Sequence, residues 1–201
     1  MKKYLKWIIC FISILIFIIL GTLVLTKKDI YLDSIIYNFI SKYISNDLTF
    51  VIKNLTHLAS ALIVILITIL VLVFHKNKKY GLFMALDLII ITILQYILKF
   101  TFMRVRPLNI NLIEETGYSF PSGHSLTAMA FYGLIIYYIY TSKLSKKSKS
   151  IYITLFSIII LIVGLSRIYL GVHFFTDVLG AFSFSLAFLI IYTNIIKGRI
   201  R

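Results

Sequence analysis

Six residues separate Lys99 from Arg106, which Pro107 follows; Pro121-Ser122-Gly123-His124 comes next, and then Ser166-Arg167. Five residues lie between Arg167 and His173, and three between His173 and Asp177. Three cations, two histidines, one carboxylate and a glycine-bearing turn suit gripping a phosphate and attacking it. A lysine offers a point charge and an arginine a planar fork that matches phosphate oxygens. The surroundings add weight, because the chain is mostly apolar and charges near hydrocarbon are expensive and usually functional.

Each cluster has its own chemistry. Lys99 and Arg106 are spaced by nearly two helical turns, so both fall on one face if the helix persists that far, with Pro107 ending it. Arg104 reads as a basic headgroup anchor beside the span. Ser122 suits a helix N-cap before an apolar run, and a helix N-terminus offers free N–H groups and a positive dipole end to an anion. Gly123 lets backbone approach an oxyanion closely. His124 in that first turn can act as base or acid near neutral pH. His173 and Asp177 at i, i+4 share a face of a starting helix. The carboxylate can fix the imidazole tautomer and leave the other ring nitrogen as a nucleophile. Arg167 adds a cation for a transferring phosphoryl group. Spacing alone leaves the nucleophile open between His124 and His173. A paired metal site is a poor rival, with two histidines nearby and no dense carboxylate cluster, so metal-independent chemistry without a cofactor is expected.

The elements that carry these residues follow from composition. The chain has 201 residues, 60% hydrophobic, with mean hydropathy +0.98. The apolar residues come in long blocks, which indicates one integral-membrane domain over 1–201 and an all-α fold. A formal charge of +14 would suggest nucleic acid in a soluble protein. Here the basic residues crowd short loops, so the expected partners are the bilayer and a membrane lipid, not nucleic acid. Cys10 is the single cysteine, so no intrachain disulfide or thiolate cluster forms. Six spans are expected, at about 7–25, 57–74, 81–99, 122–141, 151–166 and 174–196. The first follows Lys2, Lys3 and Lys6 but is too long for a signal-peptide core and lacks a small-residue cleavage site, so it reads as an uncleaved anchor. Between the first two spans, Ile30, Ile35, Ile36, Phe39, Ile40, Tyr43 and Ile44 recur at helical spacing among polar residues, which predicts an amphipathic interfacial helix.

Charge sets the direction. One side holds Lys2, Lys3, Lys6, Lys76, Lys78, Lys79, Lys143, Lys146, Lys147, Lys149, Lys197, Arg199 and Arg201 without an acidic residue. The other holds the remaining basic residues with Asp29, Asp33, Asp47, Glu114, Glu115 and Asp177. The positive-inside rule makes the first side cytoplasmic, with both termini inside a plasma membrane. All three clusters then fall at the outer ends of four helices, where they can share one extracytoplasmic pocket. Asp87, inside the third span, is expected to hydrogen-bond within the bundle or to snorkel. His57 and His75 read as ordinary polar residues, Gly133, Gly164 and Gly180 as close helix contacts, and residues 114–118 as the rim of a substrate mouth.

Together, Lys99-x6-Arg106-Pro107, Pro121-Ser122-Gly123-His124 and Ser166-Arg167-x5-His173-x3-Asp177 resemble the three motifs of the type 2 phosphatidic acid phosphatase superfamily, in order and complete. That superfamily also holds vanadium haloperoxidases, which are typically soluble and larger. The resemblance implies a bacterial membrane phosphatase acting on a lipid phosphate or diphosphate, such as undecaprenyl diphosphate, phosphatidylglycerophosphate or phosphatidic acid. It implies that Lys99, Arg106, Ser122, Gly123 and Arg167 hold phosphate oxygens. It makes His173 the nucleophile that becomes phosphohistidine, Asp177 its orienting carboxylate, and His124 the group that protonates the leaving oxygen. The competing classes are a lipid-phosphate binder or transporter, which would need the cations without His124, His173 and Asp177, and a vanadate-dependent relative.

Overall fold

The computed structural model describes residues 2–26, 30–108 and 111–200, without the side chains of Lys2 and Lys3. Lys27, Lys28, Asp29 and Arg201 of the charge pattern lie outside the described residues. Every regular element described is helical: α1 (Lys2–Leu25), α2 (Tyr31–Ser41), α3 (Asn46–Thr56), α4 (Ala61–Phe74), α5 (Lys79–Phe102), α6 (Gly123–Thr141), α7 (Lys146–Tyr169) and α8 (Phe175–Ile196). A single 3-10 turn, His57–Ala59, joins α3 to α4.

The helix limits have local causes. Ser45 and Ser145 cap α3 and α7 by accepting from the N–H groups of Leu48 and Ser148 at 3.3 and 3.1 Å. α5 stops because Met103 turns left-handed, with φ 45°. This corrects the expectation that helix continues to Arg106 and is ended by Pro107: Lys99 is on the helix and Arg106 is on the loop beyond it. α8 begins at Phe175, so His173 stands in the turn before the helix rather than on its face. Ser122 does occupy the N-cap position of α6, but its hydroxyl accepts from Ser125 Oγ at 2.9 Å instead of capping a backbone N–H.

Among the described residues, four helices are long and apolar enough to cross a bilayer: Tyr4–Leu25, Lys79–Phe102, Lys146–Tyr169 and Phe175–Ile196. A fifth crossing arises if the pair Asn46–Ala59 and Ala61–Phe74, bent by 46°, is one broken span. The expected span 57–74 is therefore interrupted: α4 has 14 residues, about 21 Å at 1.5 Å per residue, short of a hydrocarbon core of about 30 Å. The expected interfacial segment is two helices. α2 packs on α7 and α8, while α3 packs on α7 and leads toward α4. The apolar stripe of α2 is divided, with Ile40 against the protein and Ile35 and Phe39 exposed.

α6 is the central helix, packed on α5, α7 and α8. Leu126, Ala128, Ala130, Phe131 and Leu134 on it are fully enclosed. Glycines make this closeness possible: a Cβ on Gly133 would lie 2.5 Å from Leu189, and one on Gly164 2.5 Å from Phe182. α1 lies along α8, with Phe17 stacked on Phe120 at 5.8 Å. Asp87 departs from expectation: it is fully enclosed, and neither carboxylate oxygen has a hydrogen-bond partner, so it neither bonds within the bundle nor snorkels.

Candidate functional site

The loop after α5, the start of α6 and the turn between α7 and α8 meet at one end of the bundle. A cavity of about 950 Å³ opens there. Lys99, Arg106, Gly123, His124 and His173 line its polar end, together with residues 115–118. The other half runs between α4 and α5, past Val64, Thr68, Leu72, Leu88 and Thr92. The cavity is therefore a cationic head with a mostly apolar limb. The expected convergence of the clusters is present for these five residues. Ser122, Arg167 and Asp177 stand behind the wall, at most 1% exposed.

His173 joins the two layers. Asp177 sits in the first turn of α8, and its Oδ2 accepts from the N–H of Phe174 at 2.9 Å, fastening the turn that presents the histidine. The same oxygen faces His173 Nδ1 at 3.4 Å and accepts from Ser119 Oγ. A proton on Nδ1 leaves Nε2 as an acceptor, and Arg106 Nη1 donates to it at 3.1 Å. Burial pushes the His173 ring down to about 4, against the pull of Asp177 and with help from Arg106 and Arg167. The ring is therefore neutral at neutral pH, the form in which Nε2 has a lone pair to use.

Arg106 is spread over its loop. It donates from Nη1 to Val172 O at 2.9 Å, from Nη2 to Thr116 O at 2.9 Å and from Nε to Gly117 O at 3.0 Å. Burial lowers its guanidinium from the usual range, while Glu115 and Asp177 oppose that. Lys99 Nζ donates to Tyr118 O, which brings the rim loop over the head of the cavity. The rim is thus tied down by the cations that it surrounds.

Glu115 has a larger part than a rim residue. Its Oε1 pairs with Arg167 Nη2, and its Oε2 lies 3.7 Å from Arg106 Nη2. Burial alone would raise this carboxyl, but the charge and hydrogen bond of Arg167 outweigh it and hold Glu115 below the usual range. A single carboxylate thus spans two guanidiniums that sequence reasoning assigned to phosphate. Arg167 also donates from Nη1 to Thr56 Oγ1 at 3.0 Å, while its Nε has no partner.

Arg104 overturns its reading as a headgroup anchor. Its guanidinium donates to Asp177 Oδ1 at 2.6 Å and to Asp33 Oδ2 at 2.8 Å, and it lies 4.0 Å from the centre of the Phe174 ring. Sequence reasoning missed Asp33, Arg104 and Ser119 as neighbours of the site. The available signal was weak: an arginine two residues before another in a basic loop looks the same whether it faces headgroups or turns inward. Among the described residues no three of His, Cys, Asp and Glu gather as a metal-binding group.

The sequence pattern of the PAP2 superfamily matches residues 78–201. Phosphatidylglycerophosphatase B of Bacillus subtilis (strain 168) is 42% identical over 141 residues, 68% of this chain and 69% of that protein. The undecaprenyl-diphosphatase of Sulfolobus acidocaldarius is 27% identical over 189 residues, 89% and 85% of the two chains. The crystal structure of the transmembrane PAP2-type phosphatidylglycerolphosphate phosphatase from Bacillus subtilis superposes with a TM-score of 0.84 and 29% identity, covering 94% of this chain and 96% of that one. Aquifex aeolicus LpxE, at 24% identity over 85% of this chain and 97% of its own, shares the fold with a TM-score of 0.63. With its three motifs gathered at one end of a helical bundle, and more than half of its length matched, the chain belongs to the PAP2 superfamily.

Proposed function

We propose that this lipid phosphate phosphatase works through a phosphohistidine on His173. The observation that supports it is the environment of that ring: Nε2 is beside Arg106 at the cavity head, while Nδ1 faces a carboxylate sealed behind the wall. Nε2 attacks phosphorus, and the bond from phosphorus to the lipid-side oxygen breaks. That oxygen takes a proton from His124, whose ring lies beside the doubly charged group that attracts the proton. Water then attacks phosphorus and returns a proton to His124. The N–P bond breaks, inorganic phosphate leaves, and His173 is restored. Lys99, Arg106, the first turn of α6 from Ser122 and Gly123, and Arg167 hold the phosphate oxygens, with substrate taking the place of the Glu115 carboxylate between the two arginines.

The tail of the substrate lies in the apolar limb between α4 and α5, so the headgroup enters from the bilayer. Phosphatidylglycerophosphate is the first reading, on the strength of the names of the Bacillus subtilis relatives. Undecaprenyl diphosphate is the second reading, on the strength of the Sulfolobus relative. A panel of these two and phosphatidic acid at equal surface concentration, with and without EDTA, tests the reading. Release of phosphate from at least one of them, undiminished by EDTA, is expected. No release from any lipid phosphate would favour a binder, and loss with EDTA would overturn the metal-independent step.

The proposed topology has six crossings: α1, the broken α3–α4 pair, α5, α6, α7 and α8. The basic links at Lys76–Lys79 and Lys143–Lys149 lie at the helix ends away from the catalytic head, which supports cytoplasmic termini and an extracytoplasmic site. Cys10 is buried, so a cysteine at the exposed Glu114 in a Cys10→Ser background can be labelled selectively. A membrane-impermeant maleimide is expected to react with it on intact cells. Reaction only after permeabilisation would invert the orientation.

A further inference from the structure

Asp177 is buried without any exposed surface, and both of its oxygens are engaged. Oδ2 serves His173, Ser119 and the Phe174 N–H, while Oδ1 receives Arg104 Nη1 at 2.6 Å. The same Nη1 donates to Thr176 Oγ1 at 2.8 Å. The other end of the guanidinium meets Asp33, which is 6% exposed. Asp33 comes from α2 and is itself fixed to the start of α8, accepting from the Thr176 N–H and the Thr176 hydroxyl, both at 2.8 Å. The result is a closed ring of Asp33, Arg104, Asp177 and Thr176. The backbone closes it a second time, because Ser119 N–H donates to Arg104 O at 2.7 Å.

A membrane anchor needs none of this. A headgroup contact would leave the guanidinium in the interface, whereas here it is spent on two buried carboxylates and an aromatic face. Two carboxylates around one guanidinium leave the ring with a net negative charge next to His173. A negative surrounding favours the positive charge that builds on an imidazole as it bonds to phosphorus. The Nη1 donor on the far oxygen, with the guanidinium itself held by Asp33 through Nη2, also stops Asp177 from rotating away from Nδ1.

We infer that Arg104 is a positioning residue for the attack by His173, and that Asp33 is its clamp, which makes helix α2 part of the catalytic apparatus. Arg104 acts through Asp177 and touches neither phosphate nor the reacting atoms. The inference rests on the proposed phosphohistidine step.

The test compares wild type with Arg104→Gln, Arg104→Lys and Asp33→Asn in the full chain. Three quantities are read: the single-turnover rate of phosphoenzyme formation from a radiolabelled lipid phosphate, inhibition by inorganic phosphate, and the acid limb of the pH–rate profile. Arg104→Gln is expected to slow phosphoenzyme formation about 100-fold, the scale of a catalytic group misplaced by an ångström, with phosphate inhibition changed less than about threefold. Arg104→Lys recovers part of the rate, since a charge remains without the fork, and Asp33→Asn falls between Arg104→Gln and wild type. The charged and titratable groups that face His173 are Asp177 on α8, Arg106 from the α5–α6 loop, Arg167 on α7 and His124 on α6. Removing the nearby Arg104 leaves Asp33 and Asp177 uncompensated, so the ring holds its proton to higher pH and the acid limb moves up. A wild-type rate and an unmoved limb in Arg104→Gln would overturn the inference. So would phosphate inhibition lost in parallel with rate, the mark of a merely structural role. If wild type itself forms no phosphoenzyme, the phosphohistidine reading falls first and carries this inference with it.

Discussion

His173→Ala is expected to abolish turnover, by about 10⁴-fold or more, the range seen when a covalent nucleophile is removed. The size follows from the site. His173 Nε2 is the ring nitrogen that faces the cavity head, and its other nitrogen is aligned by a carboxylate with no exposed surface. Alanine deletes the proposed nucleophile and leaves the cations in place, so inorganic phosphate should still inhibit or protect the variant. Steady-state hydrolysis of a lipid phosphate together with a phosphate-dependent thermal shift checks both halves. Retained turnover would remove His173 from this role.

Arg106→Ala carries the second large effect, a fall in kcat/KM of about 10²- to 10³-fold, as expected for one lost oxyanion donor. Two losses combine in it. The substituted site lacks the guanidinium that the proposed mechanism assigns to the phosphoryl oxygens, and the rim at Thr116 and Gly117 loses the donors that hold it. Arg106→Lys should recover little, because a single ammonium cannot span the carbonyls of Thr116, Gly117 and Val172 as the guanidinium does. Measured kcat/KM for both variants decides this, and near-wild-type activity in Arg106→Lys would show that charge alone is what the site needs.

Much of the site was legible because its residues obey strong local rules. A polar residue surrounded by long apolar runs is informative, and alternating chain direction through the spans is enough to put Lys99, His124 and His173 at one end. The misreadings share a cause: spacing was taken as helix where the backbone turns. Met103 ends α5 in a left-handed conformation, which β-region and helical propensities do not announce at a methionine. Arg106 therefore reaches the head of the cavity from a loop. His173 and Asp177 meet for a similar reason. They are joined not by a shared helix face but by a carboxylate folded back onto the Phe174 N–H.

The least legible parts are the long-range pairs. Asp33 and Arg104 lie 71 residues apart, as do many unrelated pairs of opposite charge, and only the docking of α2 on α7 and α8 brings them together. Glu115 and Arg167 are likewise joined by tertiary structure alone. α2 also shows why its apolar stripe misled. An amphipathic pattern predicts one buried face, yet the buried residue of that helix is Asp33, and much of the apolar surface points outward. For a helix at a membrane, outward apolar surface is satisfied by lipid, so hydrophobicity no longer tells inside from outside.

The central claim is tested most directly by stopping the reaction on a radiolabelled lipid phosphate, digesting the protein under alkaline conditions and locating the label. Phosphohistidine is stable to base and labile to acid, so the label should stay on a peptide containing His173 and be lost on mild acid treatment. Label on the His124 peptide, or none on the protein while phosphate is released at full rate, would contradict the account.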